Sequence, residues 1–272
     1  PNFGNRDLVL WNRITIVNQS DRQLQLVVDN YSLDTLEFYW PDSNGEYRQL
    51  ISGRSQPHSQ RQYQTGVYVF DLPVNPGDTA VCYLKVRSYF MQYPLFVMSR
   101  EEFVSTYHRR DRMEGFYYGF LFFLVVYNLF LFFSVRDKSY LYYIAYVIFN
   151  GLMIAQLKGG IAEIWGDRFH FMWQYAPAVI AICSSVTFIF TQHILETKKN
   201  APRLHKVLGN IFVPAFLLIA LISVAGHNLL SSTPNQLTGL IGLVVMYATA
   251  IYIYRKGYRF ARFYIAACWA YF

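Results

Sequence analysis

The chain has 272 residues, 54% hydrophobic, 19% aromatic and 15% charged, against roughly 25% charged in an average soluble chain. That composition excludes an ordinary soluble domain, because charged and polar residues concentrate before about residue 114 and long apolar stretches follow. The net charge of +7 comes mainly from loop cations suited to anionic lipid, so it is no argument for nucleic acid.

In chain order, residues 8 to 98 read as short strands separated by turn signals, the pattern of an all-β domain. The candidates are LVLWNRITIVN, QLQLVVD, TLEFYWP, EYRQLIS, GVYVFDL, TAVCYLKVRS and PLFVMS. Alternation is clearest in the sixth, where Cys82, Leu84 and Val86 take one face and Tyr83, Lys85 and Arg87 the other. SDRQ, PDSNGE and NPGD supply turn chemistry, with Gly45 and Gly77 suited to positive φ. Seven strands in about ninety residues predict a two-sheet sandwich of jelly-roll or immunoglobulin-like kind. Asn18-Gln19-Ser20 and Asn30-Tyr31-Ser32 match glycosylation acceptors, a triplet too common to carry weight.

No catalytic constellation is visible in this part: there is no HExxH, no paired carboxylate beside His58 and no Gly-rich strand-to-helix loop. No metal or cofactor is called for. The most suggestive stretch is GRSQPHSQRQY, where Arg54, His58, Arg61 and Tyr63 present donors and a ring to a hydroxyl-rich or anionic ligand. The competing reading is a solvated loop with Arg61 bonded to backbone carbonyls. Three cysteines, Cys82, Cys183 and Cys268, make no disulfide framework and leave the redox compartment unread.

After residue 114, five stretches are long and apolar enough to cross a bilayer core of about 30 Å. They are 116–134, 140–157, 171–195, 207–226 and 236–254, with a sixth, 258–272, cut short. The predicted division is a sandwich over 1–108 and a helical membrane domain over 109–272. Cytoplasmic loops retain cations, and Arg136, Lys138, Lys198, Lys199, Arg203, Lys206, Arg255, Lys256, Arg259 and Arg262 fall in the first, third and fifth connections. They outnumber Arg109, Arg110, Arg112, Lys158 and Arg168 on the other side, which puts the sandwich outside. VRDKS is then a tight inner turn, and Trp165 and Trp173 mark an outer border. Asn128 and Asn150 sit at mid-depth of the first two spans, either as interhelical hydrogen-bond glue or as a polar relay or ligand contact.

The segments WNRITIVNQS, SGRSQPHSQRQY, YLKVRS and GFYYGFLFFLVVYNLFLFFSVRDKSYLYY together resemble the bacterial seven-transmembrane receptors with diverse intracellular signalling modules. Gly119, Tyr127-Asn128, Arg136-Asp137 and Ser139-Tyr140 are the most specific part of the likeness. The resemblance implies an extracytoplasmic sandwich similar to carbohydrate-binding modules, then seven helices, then a cytoplasmic output such as a histidine kinase or diguanylate cyclase. Against that pattern this chain is expected to lack a signal peptide, the first sandwich strand, the end of the sixth helix, the seventh helix and the output, both ends reading as cuts.

The function expected is a multi-pass sensor of the cell inner membrane, not itself an enzyme, with its N-terminal domain periplasmic or extracellular. Its partners would be membrane lipid, a small-molecule or carbohydrate-like ligand or a periplasmic protein, a cytoplasmic signalling domain in cis, and a second copy if it is a homodimer. The alternative is a transporter or membrane enzyme with an appended recognition domain, which paired broken helices or mid-membrane charges would favour.

Overall fold

The computed structural model describes residues 8–42, 44–88, 93–159, 166–169, 175–226 and 228–271. It divides into two compact units, one of residues 1–116 with 155–173 and one of 117–154 with 174–272. Trp165 and Trp173, expected at a membrane border, lie outside the described residues.

The first unit is built on two antiparallel sheets. Strands β1 (Leu8–Val17), β6 (Thr79–Ser88), β3 (Thr35–Pro41) and β4 (Tyr47–Ser52) form one in the order β1-β6-β3-β4. Strands β5 (Tyr68–Leu72), β2 (Leu24–Val28) and β7 (Leu95–Ser99) form the other, in the order β5-β2-β7. The alternation in the sequence decides which side chains meet between them. Cys82, Leu84 and Val86 are fully buried, with Leu36, Phe38, Leu26, Val28, Tyr68 and Phe70 in the same core. Fully burying such side chains contributes about 1.5–3 kcal/mol each, and Phe38 stacks on Phe70 at 5.0 Å. Both glycosylation-like triplets are turns instead: Asn18 is buried and donates to Arg22 O and Val74 O at 3.0 Å, and Asn30 Oδ1 accepts from Ser32 N at 2.8 Å.

The two sheets differ on their outer faces. Strand β2 is buried on both sides, because helix α1 (Arg100–Val135) begins directly after β7 and lays Phe103 and Tyr107 over Val27, Val67 and Val69. This helix starts well before the first apolar span predicted at residue 116. The four-stranded sheet has a wetter face, with Trp11 57% and Tyr47 50% exposed.

The second unit holds the apolar helices. Among the described residues, five helices, Arg100–Val135, Ser139–Lys158, Ala176–Ile194, Pro202–Val224 and Leu230–Arg255, are long and apolar enough to cross a membrane. We label Ser139–Lys158 α2 and Ala176–Ile194 α3. A single turn, α4 (Thr197–Asn200), leads to α5 (Pro202–Val224), which has a π-helical stretch at Leu208–Phe212. Helices α6 (Asn228–Arg255) and α7 (Ala261–Tyr271) follow. The VRDKS turn is as tight as expected: Arg136 takes φ +56° and Asp137 Oδ1 accepts from Ser139 N at 2.9 Å, opening α2. Phe188 of α3 is buried among Phe212, Phe216 and Met246, and Gly242 of α6 lets the two helices approach, since a Cβ there would lie 2.3 Å from Phe188 Cζ.

Candidate functional site

Strand register turns the outer face of the four-stranded sheet into a lattice. Trp11 faces Lys85 and Lys85 faces Glu37; two residues along each strand, Arg13 faces Tyr83, Tyr83 faces Tyr39 and Tyr39 faces Gln49. Tyr47 stands opposite Pro41 at the β4 end. Four aromatic side chains from four strands thus share one face, and their rings line a shallow depression of about 470 Å³. Trp11 stacks on Tyr39 at 5.5 Å, and Tyr47 meets Tyr83 at 5.6 Å.

Polar side chains fix this surface. Lys85 Nζ donates to Glu37 Oε1 at 2.7 Å and stands 5.6 Å from the Trp11 ring centroid. Tyr39 Oη donates to Glu37 Oε2 at 2.5 Å, and Gln49 Nε2 donates to both Glu37 Oε2 and Tyr39 Oη at 2.9 Å. The Lys85 hydrogen bond, then that of Tyr39, holds the Glu37 carboxyl below its usual range, and the Tyr39 phenol is raised in return by its bond to Glu37. Single-strand reading finds the alternation but misses this site, because Trp11, Tyr39, Tyr47 and Tyr83 become neighbours only once pairing is known.

The stretch Gly53–Tyr63 is placed differently by each of its donors. Arg54 pairs with Asp34 at 2.6 Å. Arg61 Nη1 donates to Thr65 O at 3.3 Å while its guanidinium lies 4.6 Å over the buried Tyr68 ring, whose phenol burial pushes up to about 12. Burial also lowers Arg61, and burial followed by the Arg61 charge lowers His58. Among the described residues, His58 Nε2 and Arg61 Nε have no hydrogen-bond partner. Tyr63 belongs to another network, donating to Asp71 at 2.8 Å and accepting from Gln25 Nε2 at 2.9 Å. The four residues therefore fall into three groups: Arg54 with Asp34, His58 beside Arg61, and Tyr63 with Asp71 and Gln25.

Within this first unit, the sandwich is also tied to chain segments that flank apolar helices. His58 N donates to Asp167 Oδ1, and Ser59 Oγ donates to Asp167 Oδ2 at 2.6 Å. The Ser59 bond, helped by backbone donors, holds the Asp167 carboxyl below its usual range. Asp29, at the end of β2, pairs with Arg110 of α1 at 3.0 Å; Arg110 also meets Glu114 at 3.3 Å, and Lys158 of α2 meets the same Glu114 oxygen at 3.3 Å. The sequence offers no signal for these long-range pairs beyond the charges themselves.

In the second unit, Asn128 is buried and its amide donates to Leu124 O, one turn back in α1, at 2.8 Å. Asn150 borders a separate cleft of about 1390 Å³, with Tyr143, Tyr146, His193 and Tyr264 also on its walls. Among the described residues, no group of three or more His, Cys, Asp or Glu could hold a metal ion.

Comparison with known families decides what kind of protein carries these features. A family model described as 7TM diverse intracellular signalling matches residues 110–272, and one described as 7TMR-DISM extracellular 2 matches residues 1–99. The chain belongs to this receptor family. A 7TMR-DISM protein is a transmembrane sensory receptor, and the sandwich is its extracellular domain. No curated protein and no solved structure matches the chain.

Proposed function

We propose that this 7TMR-DISM receptor senses an extracytoplasmic ligand, a small or carbohydrate-like molecule or a periplasmic partner protein, and passes the event to a cytoplasmic output module in cis at the inner membrane. One observation carries the proposal. In a single compact unit, the sandwich is hydrogen-bonded through His58 and Ser59 to Asp167, which follows α2 and precedes α3. It is also ion-paired through Asp29 to Arg110, in the helix that continues into the first span. A ligand that favours one arrangement of the sandwich can then bias these helix ends, provided it binds the two arrangements with different affinity. In this reading the stretch Gly53–Tyr63, with Arg54, His58, Arg61 and Tyr63, acts in transmission, and ligand contact lies elsewhere on the sandwich.

A reversible cross-link tests the proposal. Ser59→Cys with Asp167→Cys, in the receptor expressed with its output domain, places two thiols where hydroxyl and carboxylate now bond. Oxidation is expected to shift basal output at least twofold and reductant to restore it, with each single cysteine inert. A cross-link that forms in full and leaves output unchanged overturns this route.

A further inference from the structure

The cleft of about 1390 Å³ in the second unit takes no part in that transmission route, and its walls come mostly from α2, α3, α6 and α7. They change character along their length. Ser139, His193, Lys198, Lys199 and His205 stand at one end, while Tyr146, Phe190, Leu243 and Phe263 make the deeper part ring and aliphatic surface. Because the sandwich is extracellular, the connections at 136–139 and 195–201 lie on the inner side, so the basic end faces the cytoplasm. Charge is unbalanced there. Lys198 and Lys199 are exposed, and the single acid on the walls is Glu196, whose Oε1 already accepts from Tyr258 Oη at 3.2 Å. The two histidines are fixed by hydroxyls, His205 Nδ1 lying 2.9 Å from Thr197 Oγ1 and His193 Nε2 3.1 Å from Ser139 Oγ.

We propose that this cleft seats one anionic phospholipid of the inner leaflet, its phosphate held at Lys198 and Lys199 and its acyl chains laid along the ring-lined walls. This is a single seat, distinct from the lipid that surrounds every span, and it shares no residue with the transmission route. Three observations select the occupant. The first is depth. The walls run from Ser139 to Met153 along α2, from Ile194 back to Ser184 along α3 and from Tyr258 to Cys268 beside and along α7, about 21, 15 and 15 Å at helical rise. Half of a bilayer with its headgroup region is about 21 Å. A further spanning helix would need a groove along the whole core of about 30 Å, but Ala176 to Cys183, the outer part of α3, contributes no residue to these walls. The second is access: Ile189, Ile194 and Phe263 line the cleft and remain exposed, so it is open sideways to hydrocarbon, and its volume exceeds the roughly 300–1,000 Å³ of ordinary small-ligand sites. The third is charge. Two lysines at the cytoplasmic end of an apolar slot complement an acidic headgroup, the kind that the inner leaflet supplies.

The test titrates the receptor, expressed with its output domain and held in a neutral detergent, with dioleoyl phosphatidylglycerol, and counts bound copies by native mass spectrometry. One copy per chain is expected, bound at least fivefold more tightly than dioleoyl phosphatidylcholine. Lys198→Gln with Lys199→Gln should weaken that binding at least fivefold. Arg203→Gln with Lys206→Gln, cations of the same inner segment that do not line the cleft, should leave it within twofold. Glycerol phosphate, the headgroup anion without chains, should bind at least a hundredfold more weakly. Equal binding of phosphatidylcholine overturns the proposal, and so do equal losses in the two double variants, which would mean diffuse charge attraction. Glycerol phosphate binding as tightly as the lipid overturns it as well, leaving a site for a free anion. Absence of bound phosphatidylglycerol overturns it too, the result expected if another segment of the receptor fills the cleft. Binding is read without output, so these failures leave the cross-link experiment to judge the transmission route by itself.

Discussion

Removing Arg110 tests whether the sandwich is held to α1 by charge. The guanidinium lies 3.0 Å from Asp29 and 3.3 Å from Glu114, with side chains 36%, 31% and 21% exposed. A fully exposed pair contributes about 0.2–1 kcal/mol, whereas hydrogen bonds to charged groups contribute about 1.5–3 kcal/mol; this half-buried cluster belongs between. Arg110→Ala also leaves Asp29 without its cation, while Glu114 keeps Lys158 at 3.3 Å, so a loss of about 2 kcal/mol is expected, or about thirtyfold in a local opening equilibrium. The Asp29–Arg110 coupling alone should be smaller, about 1 kcal/mol, because Arg110 keeps Glu114 when Asp29 is removed. The readout is hydrogen exchange at the Asp29 amide, which donates to Pro94 O at 3.0 Å, in nanodisc-embedded chain carrying each alanine and both together. High salt should narrow the differences. Exchange in Arg110→Ala within twofold of the parent would refute the reasoning and leave the packing of Phe103 and Tyr107 and the Arg22–Glu101 pair at 2.6 Å to hold the helix.

Three further changes address separate links. Gly53 takes φ +124°, and a Cβ would lie 2.4 Å from Asp34 O and 2.8 Å from Thr35 Cα; Gly53→Ala should destabilise the sandwich by about 2–4 kcal/mol, and an unshifted denaturation midpoint would refute that. Gly242→Val should push Phe188 from its seat, at about 1–3 kcal/mol, lowering the melting temperature in detergent, while Gly239→Val, with nothing within 4 Å, should not; equal effects would refute the close approach. Burial, then Arg61, lowers His58 below 6.5, so the folded turn binds fewer protons than the unfolded chain as pH falls past 6.5. Its stability is intact above 6.5 and erodes below. Intrinsic-rate-corrected protection of the Arg61 amide, which donates to His58 O at 3.2 Å, should drop between pH 7.5 and 5.5 in the parent and stay level in His58→Gln.

The sandwich was legible because its signal is local. Period-two alternation in TAVCYLKVRS fixes which residues of β6 are buried, and the turn glycines Gly45 and Gly77 take the positive φ that their sequence context called for. The spans were legible for the same reason, apolar length being a property of one segment. The start of α1 was not legible. Residues 100–115 are largely polar and the predicted division between sandwich and helical domain cuts them at 108, yet they form one helix because Phe103 and Tyr107 cover the outer face of β2, a tertiary reward that no window of sequence contains. Pair-dependent features fail in the same way: Asp29 with Arg110, Asp167 with Ser59, and the four rings are each brought together by register or chain reversal.

Asn128 shows the opposite error, a residue made conspicuous by its sequence neighbours. An amide in an apolar span must find an acceptor, and the sequence reading turns Asn128 toward a neighbouring helix, the second span being the nearest candidate. The structure uses Leu124 O of the same helix, and Ser184, Ser185, Thr187, Thr191 and Thr249 likewise donate to carbonyls four residues back at 2.7–3.0 Å. Polar groups satisfied this way cost the span little, and a partner on another helix, such as the Tyr264 Oη that stands 2.8 Å from Thr191 Oγ1, is an addition rather than a need. Conspicuous polarity inside the spans is therefore weak evidence for a relay. Ordinary-looking residues on the sandwich carry more, because their meaning comes from the strands beside them.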